Sequence, residues 1–365
     1  MTKLQQLHTE HGQSPWLDNL TRGHLRSGGL RRLIDNGIRG VTSNPTIFAK
    51  AIGGSADYDD QFRELVRSGI TVTDAYWAMV IDDIREALAQ LRPVYDSSAG
   101  GDGFVSVELA PDLARDTERS IDAARALHEQ IDKPNLFVKI PATPVGVLAV
   151  REMIAEGRSI NITLLFSLQR YDEVIEAYLA GLETYAGDLA PVHSVASFFV
   201  SRVDTEVDQR LEAIGTAEAL ALRGHAALAQ AKVAYQLFRR RFSGPRWEAL
   251  AARGARVQRP LWASTSTKNP EYPDTLYVDG LIGPDTINTL PEATIAAFED
   301  HGSVAITIDS DVEDAQRTLD RLEAIGVSMT DVGRTLEDEG VASFTKSFDD
   351  LLAALETKAA ELSSS

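Results

Sequence analysis

Lys139 stands inside the run NLFVKIPATP (residues 135–144), between Val138 and Ile140 and two positions after Phe137. Side chains alternate faces along a strand, so Lys139 shares a face with Phe137 and opposes its two immediate neighbours. A fully buried lysine is rare unless it is paired, and burial disfavours an ammonium group. A neutral amine in such surroundings is a carbonyl nucleophile. It forms a Schiff base, and the iminium then draws electrons from an adjacent C–C bond. Arginine stays protonated at any working pH and has no such chemistry. Eight of the 36 Lys and Arg residues are lysines. The other seven, at 3, 50, 133, 232, 268, 346 and 358, lie in polar or helical surroundings.

Schiff-base chemistry needs acids, amides and hydroxyls around the amine. Candidates come from the ends of short apolar runs. SPWLD ends on Asp18, GVTSN on Asn44 and FVSVE on Glu108. INITLLF supplies Asn161 and Thr163, SVASFFVSR supplies Ser197 and Arg202, and LWASTSTK supplies Ser264 and Lys268. One carboxylate must move protons during carbinolamine dehydration and iminium hydrolysis, and another must take the proton of the hydroxyl whose carbon departs. Asp18 and Glu108 have the type for these roles. Asn44 and Asn161 suit sugar hydroxyls. Arg202, Ser264 and Lys268 suit a phosphate, through charge-assisted hydrogen bonds. Each residue also has an ordinary structural role open to it. Asp18 could cap a helix, Asn44 could form a turn before Pro45, and Thr163 could be a plain β-branched strand residue. Arg202 could pair with Asp204 or Glu206. The arrival of the whole set at strand ends points to chemistry instead.

The elements that must position these residues are short apolar runs at Trp16–Asp18, Ile38–Ser43, Gly103–Leu109, Leu136–Pro141, Ser159–Leu164, His193–Phe199 and Arg259–Ser264. An eighth lies within Leu276–Leu290. Amphipathic stretches such as Asp112–Gln130 and Leu168–Thr184 separate them. Alternation of strand and helix predicts an α/β fold with a parallel sheet. Eight units predict a closed (β/α)8 TIM barrel, whose active site sits at the C-terminal ends of the strands. The chain reads as one barrel domain over residues 1–365. Helical elaborations are expected at about 48–101, 204–258 and 330–362, the last holding two helical patterns. No GxGxxG or GxxxxGK[ST] follows a strand, so open nucleotide-binding sheets lose support.

Composition narrows the partners. A net charge of −18 opposes nucleic acid, whose phosphates need basic patches. Zero cysteines exclude disulfides and thiolate metal sites. No apolar stretch approaches membrane-spanning length, and the first residues lack the apolar core of a secretory signal. A cytoplasmic protein without a membrane partner is the expectation. His8 and His11 share a helix face and read as a surface pair rather than a metal site. No metal and no cofactor is expected, and the oligomeric state is not fixed by the sequence.

Taken together, GVTSNPTIF, NLFVKIPAT, INITLLFS, SVASFFVSRVD and LWASTSTKNP resemble the transaldolase family in its longer bacterial form. The resemblance runs from SPWLDNL to INTLPEAT. It implies a class I aldolase-type (β/α)8 barrel of the pentose phosphate pathway. Such an enzyme transfers a dihydroxyacetone unit from sedoheptulose 7-phosphate to glyceraldehyde 3-phosphate, giving erythrose 4-phosphate and fructose 6-phosphate. By the same resemblance Lys139 is the Schiff-base lysine, and Asp18 moves the hydroxyl proton in C–C cleavage. Glu108 and Thr163 hold the catalytic water. Asn44, Asn161 and Ser197 surround the dihydroxyacetone unit, Arg202 and Ser264 bind phosphate, and the eighth strand is Thr286–Leu290. The related fructose-6-phosphate aldolase branch carries Gln and Tyr where this chain has Glu108 and Phe199, which favours transfer over release. Two departures stand out: Ser266 lies where shorter members place an arginine, with Lys268 the nearest cation, and LAPDLARD follows Glu108 in place of an acidic pattern.

Overall fold

The computed structural model describes residues 1–363. Eight parallel strands form a closed barrel in chain order. They are β1 (Gln13–Asp18), β2 (Gly40–Thr42), β3 (Phe104–Glu108), β4 (Leu136–Pro141), β5 (Ile160–Leu165), β6 (Ser194–Phe199), β7 (Arg259–Ala263) and β8 (Thr286–Leu290). β1 pairs with both β2 and β8, which closes the sheet. Strands covered on both faces read as continuous apolar runs rather than alternating ones; every residue of β4 is buried.

The starts of the outer helices are written in the sequence. Thr143 caps the helix Pro144–Ala155, and Ser167 caps Leu168–Thr184. Pro144 at the first helical position has no amide hydrogen to leave unpaired. In the long second connection, Thr71 caps the helix Val72–Ser97 and Asp74 sits in its first turn. No helix among the described residues is long and apolar enough to cross a membrane.

The floor of the barrel interior is aromatic. Trp16, Phe104 and Phe137 stack with centroids 4.4 to 6.3 Å apart, each contact contributing about 0.5–1.5 kcal/mol beyond burial. Gly40 on the neighbouring strand makes room for them: a Cβ there would lie 2.4 Å from the Trp16 ring. Below this layer the buried Asp102 accepts from Arg39 and Arg259 at 2.7 and 2.9 Å. Burial pushes its carboxyl up, but the two guanidinium groups outweigh burial and hold it below the usual range.

Three sequence expectations need correction. β1 begins at Gln13, before Trp16. Asp112–Gln130 is not one helix: a short 3-10 turn, Pro111–Arg115, precedes the helix Thr117–Ile131, and Asp116 caps the latter by accepting from the Arg119 amide at 3.0 Å. The eighth strand is Thr286–Leu290, as the resemblance implies, and Leu276–Asp279 ahead of it is a single helical turn. The C-terminal stretch is not two helices but one, Met329–Ser363. Gly333 and Gly340, which resemble breaks, are sites of close approach: a Cβ on either would meet Ser167 or Leu164 at under 3 Å.

Candidate active site

Strand register brings the polar residues to one level. Glu108 pairs with Lys139, Lys139 with Asn161, and Pro141 with Thr163. Asp18 pairs with Thr42, and Thr42 with Ser106. Paired residues on parallel strands point the same way, so these side chains face the interior near the C-terminal mouth. Past Thr163 the register of β5 shifts against β6, and Leu164 adopts a φ of 55°. That conformation is an outlier for a bulky side chain, of the kind found where a bulge re-aims a neighbour.

A cavity of about 300 Å³ opens at this mouth. Nine of the eleven residues singled out from sequence line it: Asp18, Asn44, Lys139, Thr163, Ser197, Phe199, Arg202, Ser264 and Lys268. The other two sit against it. Glu108 lies beside Lys139, and Asn161 lies beneath, donating to Ser106 at 3.0 Å and accepting from Ser197 at 2.7 Å.

Lys139 is 4% exposed and Glu108 6% exposed. The Lys139 Nζ stands 2.9 Å from Glu108 Oε2 and donates to the Ser43 carbonyl at 2.9 Å. Burial raises the Glu108 carboxyl above its usual range, while Lys139 opposes that shift and Asp18 adds to it. Asp18 is also raised, chiefly by burial, against a hydrogen bond from Thr42 and the charges of Lys139, Lys268 and Arg202. The Thr42 hydroxyl donates to Asp18 at 2.8 Å and lies 2.6 Å from the Thr289 hydroxyl. A hydroxyl carries one proton, so Thr289 must donate to Thr42: the two form a relay ending on Asp18. Thr163 Oγ1 is buried in the cavity wall without a protein partner among the described residues, which leaves it for a substrate or water.

The mouth is cationic. Arg202 lies in the first turn of the helix Ser201–Ile214, its guanidinium 5.2 Å from the Phe199 ring centroid and 6.0 Å from that of Phe344. The alternative partners do not take it: Asp204 accepts from Ala227 and Tyr277, and Glu206 pairs with Arg210. Partial burial lowers Arg202, partly offset by Asp18 and Glu108. Ser264, at a φ of 55°, lies 3.0 Å from Ser201 Oγ. Lys268 donates to Ser266 and remains exposed. Asn44 has two jobs: its Oδ1 caps the helix Pro45–Gly54 at 2.9 Å from the Ile47 amide, so its NH2 is left for the cavity.

Several contributors escape sequence reasoning. Thr42 and Thr289 could have been found by strand alternation, since each falls on an inward position of TSN or INTL. Lys50, on the helix after Asn44, joins the cationic mouth without a local signal. Ser343 and Phe344 come from the C-terminal helix; nothing near them in sequence ties them to a strand end. Among the described residues, no cluster of His, Asp and Glu is placed to hold a metal ion.

A family model described as transaldolase/fructose-6-phosphate aldolase matches residues 15–355. A transaldolase of Thermobifida fusca is 54% identical over 354 residues, covering 96% of each chain. One of Acidothermus cellulolyticus is 52% identical, covering 94% of each chain. One of Mycobacterium marinum is 50% identical, covering 95% of each.

Proposed function

The chain belongs to the transaldolase/fructose-6-phosphate aldolase family and acts as a transaldolase, and we propose that Lys139 carries this activity as its Schiff-base nucleophile. The substrates are sugar phosphates: sedoheptulose 7-phosphate donates a dihydroxyacetone unit to glyceraldehyde 3-phosphate. The observation that supports the assignment is the buried contact of 2.9 Å between Lys139 Nζ and Glu108 at the floor of the mouth cavity.

The steps follow from that contact. The Lys139 amine bonds to the ketose carbonyl carbon, and the carbonyl electrons move to oxygen. Glu108 starts protonated and gives its proton to that oxygen, then takes the proton the amine nitrogen releases and returns it to the new hydroxyl, so water leaves, an iminium forms and Glu108 is left ionised. A carboxyl raised by burial suits this carrying role, because its affinity for a proton comes closer to working pH. Asp18 then removes the proton of the hydroxyl β to the iminium carbon. The C–C bond breaks, its electrons become an enamine, and the aldose leaves. The acceptor aldehyde enters, the enamine carbon bonds to it, and Asp18 gives its proton back. Water between Glu108 and Thr163 hydrolyses the new iminium.

Asn44, Asn161 and Ser197 orient the dihydroxyacetone unit. Arg202, Ser264 and Lys268 hold the phosphate. Phe199, under the Arg202 guanidinium, supports a dry site for the enamine, which must outlast aldose exchange. We read the chain as one barrel domain whose segments at about 48–101, 204–258 and 330–362 are additions to it. We read the enzyme as cytoplasmic, a reading supported by its soluble phosphorylated substrates and the absence of cysteine.

Borohydride reduction with fructose 6-phosphate tests the assignment. It should fix one three-carbon unit on Lys139, located by peptide mass spectrometry. Modification elsewhere, or undiminished trapping in Lys139→Ala, would overturn it. Turnover of fructose 6-phosphate with and without erythrose 4-phosphate separates transfer from release of free dihydroxyacetone.

A further inference from the structure

We propose that the N-terminal end of the barrel, opposite the catalytic mouth, holds a second binding site for a small carboxylate with a flat apolar body. A cavity of about 290 Å³ lies there, bounded by the first residues of β3, β6 and β7. Its apolar wall includes Phe104 and Phe137, whose rings stack at 4.4 Å, and His193, which meets Phe104 edge-on at 5.0 Å. Such a wall accepts the face or edge of a planar ligand.

Its polar groups are aimed at one negative charge. Arg259 is committed to the buried Asp102 at 2.9 Å. Arg256 donates to the Ala99 carbonyl at 2.6 Å and pairs with no carboxylate among the described residues. Asp285 on the rim is exposed, so water and salt screen it. Arg256 is thus the arginine of the cavity with no carboxylate against it, and the aromatic wall beside it matches a carboxylate on a flat apolar body better than a phosphate. His193 is only 6% exposed, yet its ring nitrogens have no protein partner among the described residues. The ring lines the cavity, so its nitrogens are open to a ligand hydrogen bond. Burial, with Arg256 and Arg259 nearby, pushes His193 down to about 3. It is therefore neutral at working pH and offers one N–H donor beside the guanidinium.

Titration of the full-length protein with benzoate, followed by calorimetry and NMR, tests the site. Saturable binding of one benzoate per chain is expected, unchanged after the catalytic lysine has been occupied by borohydride trapping. Arg256→Ala should weaken it by about tenfold or more, the effect of losing a charge-assisted hydrogen bond, while leaving turnover unchanged. His193→Phe, which keeps the ring contact and removes the donor, should also weaken it. Inorganic phosphate should compete poorly. Absence of saturable binding, its loss on trapping, full affinity in Arg256→Ala, or equal affinity for phosphate and benzoate would each overturn the proposal.

Discussion

Glu108 and Lys139 hold paired positions on β3 and β4, and the contact between their charged groups is 2.9 Å. The pairing sets the proposed nucleophile and proton carrier by backbone register, so neither depends on a mobile loop. The first prediction concerns this pair. Glu108→Gln keeps the volume and a hydrogen bond to the amine but cannot carry a proton. Its kcat should fall by about 10²–10⁴-fold, the usual worth of positioned acid–base groups. Borohydride trapping should become slower without moving to another lysine. Circular dichroism checks that the fold is kept, and a loss of less than tenfold would remove Glu108 from proton transfer.

The second prediction uses the relay. In the proposed mechanism Asp18 must be ionised to accept the hydroxyl proton, and its carboxyl is raised by burial while the Thr42 hydrogen bond pulls it down. Removing that bond in Thr42→Val should raise it further. The acid limb of the kcat/KM profile should therefore move to higher pH in the variant. A limb that stays put, or moves to lower pH, would show that another group governs it.

The barrel was legible because both faces of its strands are covered: β4 and β5 read as unbroken apolar runs, and an inward lysine or asparagine stands out against them. The strand-end residues were legible for the same reason. What escaped depends on contacts between distant segments. The Thr42–Thr289 relay joins residues 247 positions apart. Phe344 reaches the cavity from the last helix, and no periodicity records which helix lies over the mouth. Leu276–Asp279 and β8 are both short, and their pattern alone does not separate helix from strand; the resemblance is what places the eighth strand at Thr286–Leu290.

The third prediction addresses the cationic mouth. Arg202 lies half-buried against Phe199 and Phe344 and makes no competing ion pair among the described residues. Arg202→Ala should lower kcat/KM for sedoheptulose 7-phosphate by about 10–100-fold, from the loss of charge-assisted bonds worth roughly 1.5–3 kcal/mol. Lys50→Ala and Lys268→Ala should cost less, because both cations are exposed and screened. An equal loss for an unphosphorylated ketose would show that Arg202 does not act on the phosphate.

Asp204 supports a fourth prediction, on stability. It is 1% exposed, and burial raises its carboxyl to about 6 despite bonds from Ala227 and Tyr277. A carboxyl raised in the folded state favours folding while both states are protonated. That contribution is full below the unfolded value of about 4 and is lost as pH rises through about 6. Denaturation midpoints attributable to this group should therefore fall between pH 4 and 6. Asp204→Asn keeps the volume and an acceptor for the Ala227 amide, and should flatten that segment of the curve. An unchanged slope in the variant would rule Asp204 out as its source.

The fifth prediction separates two glycines of the C-terminal helix. On helix propensity alone, Gly→Ala should stabilise by about 1 kcal/mol at either position. Contact opposes this. A Cβ on Gly333 would meet Ser167 Cβ at 2.8 Å, an atom fixed to the backbone at the cap of a barrel helix. A Cβ on Gly340 would meet Leu164 Cδ2 at 2.9 Å, the far end of a side chain that can rotate. Overpacking a rigid neighbour costs about 1–3 kcal/mol, enough to reverse the propensity gain at Gly333 but not at Gly340. Gly333→Ala should thus lower the urea midpoint, and Gly340→Ala should leave it level or raise it. Because the same helix brings Ser343 and Phe344 to the cavity, Gly333→Ala should also raise KM for the phosphorylated ketose. A stabilised Gly333→Ala with unchanged KM would mean that the helix sits over the mouth without being held by that contact.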